Sequence, residues 1–177
     1  MTGPPDEAIL IKAFVNTIDL SEDTDELSTP AAAGRWLVEH GLLDGHLRQT
    51  ADEHRDLLDL RTGMRSALGV TDPALLAVGE AVLADLPVRV SLTGPALGPA
   101  PLPPARQALA RLAVAWVALV LTGGTLRLKR CADDRCGWVF WDVSRNHSRR
   151  WCTMRVCGNR EKARRYAARL RGAEPDR

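Results

Sequence analysis

Four cysteines, at positions 131, 136, 152 and 157, constrain this chain more than any other feature. Cys131 and Cys136 form one C-x4-C pair, and Cys152 and Cys157 form a second, with fifteen residues between the pairs. Zinc takes four soft or borderline ligands in a tetrahedron, and thiolates suit it. Two close pairs on tight turns, joined by a hairpin-sized insert, can aim four sulfurs at one point. The alternatives are two disulfides or four unlinked thiols. Disulfides need an oxidising compartment. The opening segment MTGPPDEAILIKAF places Asp6 and Glu7 where a signal peptide would be basic, so a cytoplasmic location is expected. His147 could replace one cysteine, but it lies in mid-insert, and four thiolates already close a site. The expectation is one structural Zn2+ at Cys131, Cys136, Cys152 and Cys157, with no position left open for water. Binding would supply about 10–16 kcal/mol of folding free energy to a module too small to stand alone.

Charge divides the chain at the same place. Residues 1–126 carry 9 basic and 16 acidic residues, a net of −7, and residues 127–177 carry 15 basic and 6 acidic, a net of +9. Such a split predicts two modules with different partners, the basic one suited to a polyanion. Five of the eight aromatic residues, Trp138, Phe140, Trp141, Trp151 and Tyr166, fall in the basic part. The expected boundaries are 1–124 for the acidic domain and 125–177 for the zinc module.

Alternation predicts strands over 125–130 and 137–143, a turn over 144–148 and a helix over 159–171. A knuckle, a hairpin and a second cysteine pair at a helix start make a treble-clef-like module. The helix carries an apolar stripe of Ala163, Tyr166, Ala167 and Leu170 and a basic face of Lys162, Arg165 and Arg169, with Arg164 beside it. Arg145, Asn146, Arg149, Arg150, Arg155 and Arg160 add polar and basic groups from the insert and second knuckle. Arginine outnumbers lysine, which favours bidentate contact with phosphate or guanine. The other readings of this surface are a solvated face, or a face neutralised by the acidic domain.

The acidic part reads as a mostly helical α+β domain with a small β-sheet. Helices are expected over 8–18, from Thr29-Pro30 to His40 with Gly41 as stop, over 46–68, from Asp72-Pro73 to about Leu83, and over 105–121. Residues 19–29 read as an acidic loop, 87–92 as a strand and 93–104 as a Gly/Pro loop. Trp116 reads as core. The apolar run Leu112–Leu121 is about half the length of a membrane span and reads as a buried helix. With 45% hydrophobic and 26% charged residues, the chain is neither collagen-like nor disordered, and a coiled coil, secreted disulfide scaffold or integral membrane protein is not expected. No phosphate loop, nucleophile elbow or paired-histidine helix occurs in residues 1–124, so no enzyme is expected. His40 and His54 read as capping and packing residues.

The segment from Cys131 to Arg169 contains GWVFWDVSRNHSRRWCTMRVCGNREKARRY. It resembles the CGNR zinc finger, named for the motif at Cys157-Gly158-Asn159-Arg160. Phe140, Asp142, Ser144, Arg145 and Asn146 fit its F-x-D-x-S-R-N segment, and Arg149 to Met154 its R-R-W-C-x-M segment. Such fingers follow an N-terminal ABATE domain, a family named for stress-induced transcription regulation. Phe14-Val15-Asn16-Thr17 and Trp36–Leu43 resemble that domain's opening. The resemblance implies zinc at the four cysteines, DNA binding and transcriptional regulation. A domain that senses a ligand would offer Asn16 and Trp36 as candidates, against a capping asparagine and a core tryptophan.

The leading expectation is a cytoplasmic, zinc-dependent regulator of duplex DNA, acting as a homodimer or sensing a small molecule through its acidic domain. RNA binding is the nearest alternative, with Trp138, Trp141 and Trp151 stacking on unpaired bases. A nuclease built on Asn146-His147 would need further metal ligands. A protein-interaction module with a purely structural zinc would show no affinity for nucleic acid.

Overall fold

The computed structural model describes residues 3–45, 48–69, 72–90, 97–99 and 101–172. Among these residues the N-terminal part holds five α-helices. Helix α1 (Asp6–Val15) buries Ala8, Ile11, Phe14 and Val15, with Asp6 and Glu7 in the first turn where the helix dipole favours anions. Helix α2 (Pro30–Glu39) opens as expected, the Thr29 hydroxyl accepting from the Ala32 N–H at 3.2 Å and Pro30 filling the first helical position. Gly41, at φ 67°, ends it.

Helix α3 runs over Ala51–Ala67, starting later than the expected 46. Its start is a capping box: Thr50 Oγ1 accepts from the Glu53 N–H, and Glu53 Oε2 accepts from the Thr50 N–H. The Thr-x-x-Glu spacing was legible, and the apolar periodicity upstream of it misled. Residues 46 and 47 lie outside the described residues. Helix α4 (Pro73–Ala84) is capped by the Asp72 carboxylate. It packs on α3 through Gly63 and Gly79, where a Cβ on either would meet the other's Cα at 2.7 Å. Helix α5 (Pro104–Leu121) buries Ala108, Leu109, Leu112, Ala113 and Leu119. By length and composition it could cross a membrane, but one face of it packs into this core, while Val120 and Leu121 at its end stay exposed.

Three two-stranded antiparallel ladders complete the fold. Two correct the sequence reading. The acidic loop contains β1 (Ile18–Asp19) paired with β2 (Thr24–Asp25). The Gly/Pro loop contains β4 (Leu97–Pro99), paired with β3 (Val88–Val90), so that Pro99 faces Val88. Proline is tolerated because a two-stranded ladder is all edge. The remainder of the expected 87–92 strand lies outside the described residues. The third ladder pairs β5 (Leu128–Arg130) with β6 (Val139–Trp141), and its hairpin tip carries the first cysteine pair. Trp116 and Trp141 are partly buried at the rim of the core.

The core is shared between the acidic and basic parts. Leu128 and Val139 are fully buried in the same cluster as Phe14, Leu37, Leu60 and Leu112. A π-type turn (Met154–Gly158) leads into helix α6 (Asn159–Gly172). The expected apolar stripe of α6 is not buried: Tyr166 is 65% exposed and Leu170 57%.

Candidate metal centre and nucleic-acid interface

The hairpin β5–β6 delivers Cys131 directly from its first strand, with the Cys131 N–H donating to the Trp138 carbonyl at 2.8 Å. The first knuckle closes when the N–H groups of Cys136 and Gly137 donate to the Asp133 carbonyl at 2.9 and 3.2 Å. Gly137 sits at φ 59°, and a Cβ there would lie 2.9 Å from Leu20 Cδ1. The backbone conformation therefore favours glycine here, and a side chain would also have to displace the Leu20 side chain. The second pair closes through the Cys157 N–H to the Thr153 carbonyl, 3.0 Å, so Cys157 stands at the base of α6. At Gly158 a side chain would collide with the Met154 thioether.

All four sulfurs lie within 4.8 Å of one another. Cys136 and Cys152 are 3.5 Å apart, Cys152 and Cys157 3.6 Å. A zinc tetrahedron with bonds of about 2.3 Å has sulfur–sulfur edges of about 3.8 Å. A disulfide would need about 2.05 Å. The donor set and spacing therefore fit one structural zinc ion. Burial and the neighbouring thiols push the Cys136 thiol up to about 11 and raise Cys157 as well. Cys131 is shifted down, because N–H donors from Asp133 and Cys152 outweigh its burial. A divalent cation at the centre reverses the unfavourable cases, stabilising thiolates outright.

Two fully buried carboxylates brace this centre: Asp133, which sequence reasoning passed over, and Asp142, which it placed in the F-x-D-x-S-R-N segment without a role. Asp133, inside the first knuckle, accepts from Arg160 Nη1 at 2.8 Å and lies 3.5 Å from Arg164. It thereby ties α6 to the knuckle. Asp142 accepts from Lys129 Nζ at 2.8 Å, from the Ser144 N–H at 2.8 Å and from the Arg149 N–H at 3.1 Å. Burial opposes its charge, but these donors hold its carboxyl well below the usual range. The Asp-x-Ser spacing of an Asx turn was the available signal.

The expected nucleic-acid residues separate into two groups. Arg149 is turned inward: its guanidinium donates to the Trp151 carbonyl at 2.8 Å and to the Cys152 carbonyl, and lies 4.6 Å above the Phe140 ring. Arg160 and Arg164 serve Asp133, and Arg164 and Arg165 pair with Glu161 at 2.6 and 2.8 Å. Arg145, Asn146, Arg150, Arg155, Lys162 and Arg169 are exposed. Among the described residues none of these five cations has an acidic partner, and no ion pair joins an acid of residues 3–126 to a base of 127–172. Trp151 packs on the cysteine cluster under Arg150, and Trp138 is exposed. His147 belongs to no metal-ligating cluster among the described residues.

The two candidate ligand-binding residues take structural positions. The Asn16 amide is consumed by β6, donating to the Val139 carbonyl and accepting from the Val139 N–H, both at 2.8 Å. Trp36 is core, 4% exposed, packed on Phe14 and stacked 3.9 Å from the His40 ring. His54 bonds the Leu27 carbonyl at 2.7 Å, a structural role. A further contact across the two parts was not anticipated. Arg65 of α3 is buried and donates to the carbonyls of Val15 and Gly137, spanning from α1 to the first knuckle. Burial, with Arg130 and Arg61 nearby, lowers its pKa to about 10.

Comparison with known families then places this geometry. Residues 10–123 match a family model described as "Putative stress-induced transcription regulator", ABATE. The chain belongs to the ABATE family. Residues 127–170 match the CGNR zinc finger, so the ABATE domain is followed by a finger that contains all four cysteines. A search of curated proteins found no match.

Proposed function

We propose that this ABATE–CGNR protein is a cytoplasmic, non-enzymatic transcription regulator that binds duplex DNA through its zinc finger. The observation that carries the reading is the set of Arg145, Arg150, Arg155, Lys162 and Arg169, exposed cations that lack acidic partners among the described residues. The finger's own buried acids are already committed to its zinc scaffold, so the remaining surface is strongly positive. Phosphates would be met first, and Asn146 beside Arg145 would reach base edges. The ABATE domain would dimerise the reader or transmit a bound ligand through Asn16, Arg65 and the shared core.

The experiment is a salt-titrated binding assay with zinc-loaded protein and random-sequence duplex DNA, with zinc measured on the same sample. Four phosphate contacts give a log–log slope of about −3.6. Absence of binding at low salt, with one zinc per chain, sinks the reading in favour of a protein-interaction module. The exposed Trp138 supports RNA as a second reading, and tighter binding of single-stranded RNA than of duplex DNA would select it.

A further inference from the structure

The ABATE domain contains an open cleft of about 950 Å³ between the starts of α2 and α3. Thr29, Pro30 and Ala31 line it from one helix, and Thr50 and Ala51 from the other. Helix N-termini carry unpaired N–H groups and a partial positive charge, so two converging termini favour an anion. The capping side chains of Thr29 and Thr50 serve the third helical positions, Ala32 and Glu53, so that of the earlier positions Ala31 in α2 and Ala51 and Asp52 in α3 keep N–H groups without a capping side chain, while Pro30 has none. Among the described residues the charged ones that line the cleft are two arginines, Arg35 and Arg48. That is a local positive site within a part of the chain whose net charge is −7. The carboxylates of Asp52 and Glu53 lie in the first turn of α3, and neither lines the cleft.

An independent observation points to an occupant. Gln49 lines the same cleft, is 4% exposed, and among the described residues neither its Oε1 nor its Nε2, both closed to solvent, has a hydrogen-bond partner. A buried amide with both ends unpaired costs several times what a single hydrogen bond contributes, so it calls for a partner. We propose that this cleft binds a small oxyanion-bearing molecule, with Arg35 and Arg48 holding the phosphate or carboxylate and the Gln49 side chain turning toward the cleft so that its amide meets an adjacent donor–acceptor group. Arginine guanidinium groups match either oxyanion in bidentate fashion. The site does not depend on DNA binding by the finger.

The test uses the full zinc-loaded chain, with thermal unfolding and calorimetric titration in inorganic phosphate or succinate, against chloride at equal ionic strength. One probe should raise the melting temperature saturably beyond the chloride control. Arg35→Ala combined with Arg48→Ala should weaken that probe at least tenfold. Gln49→Leu should melt no lower than wild type without ligand, since it removes an unpaired amide, yet weaken the probe. Arg145→Ala combined with Arg150→Ala, in the finger, should leave it unchanged. Phosphate and succinate distinguish the two oxyanion sources. Shifts no larger than chloride for both probes, or a shift retained in the Arg35/Arg48 variant, overturns the proposal.

Discussion

Asn16 and Val139 stand 123 positions apart in the chain and are joined by two hydrogen bonds, the asparagine amide acting as a one-residue strand against β6. Removing it leaves two buried backbone groups without partners. Asn16→Ala should cost about 2–4 kcal/mol. It should appear as a lower urea midpoint at unchanged slope. A midpoint equal to wild type would show that the two halves of the fold do not depend on this clamp.

Zinc binding should be proton-linked. Without metal, the Cys136 and Cys157 thiols are raised and stay protonated near neutral pH. Zinc must displace those protons, so affinity rises with pH and falls in acid. Chelator competition should show a drop of at least ~tenfold per pH unit below pH 7. The metal content should be one zinc per chain, and Cys157→Ser should lose it. A pH-independent affinity would contradict four thiolate ligands.

The arginines should separate by role. Arg149→Ala removes the donor that holds the Trp151 and Cys152 carbonyls, so zinc retention and melting temperature should both fall. Arg145→Ala and Arg150→Ala should leave zinc content and melting unchanged. Each should make the DNA salt slope shallower by about 0.9. If Arg149→Ala keeps its zinc and loses only DNA affinity, the inward assignment is wrong.

The Asp142 carboxyl titrates well below its ordinary 3.8 in the folded protein. A depressed folded pKa contributes stability that is complete above the unfolded value and is lost as pH falls through the folded one. Asp142→Asn should therefore cost about 3 kcal/mol at pH 7, by leaving the Lys129 ammonium without its carboxylate. The difference from wild type should stay constant down to about pH 5 and shrink below pH 4. Urea midpoints across that range would check it, and a gap that widens in acid would refute the assignment.

Much of this was legible because the signals were local. Thr29-Pro30, Asp72-Pro73 and Gly41 mark helix ends by their own chemistry, and the two cysteine pairs announce a metal by spacing alone. What escaped was set by partners distant in sequence. Asp133 looks like one more acid in a basic module, and Asp142 is only a motif position, until burial and their Arg160 and Lys129 partners give them roles. Arg65 lies on an otherwise readable helix, but its task depends on carbonyls at Val15 and Gly137. Strands β1, β2 and β4 escaped for another reason: two or three residues leave little periodicity to detect, and β4 contains a proline.

Helix α6 is held at one end only. Its first turn is anchored through Cys157 and the Arg160–Asp133 pair, while Tyr166 and Leu170 stand in solvent. Fourteen residues make a rod of about 21 Å. Arg169 stands about 15 Å from the base, so a tilt of ~10° there sweeps it through about 3 Å, a little less than one nucleotide step. Coordination at the knuckle thus works as the fulcrum of a lever, and small angular changes there set where the far charges land.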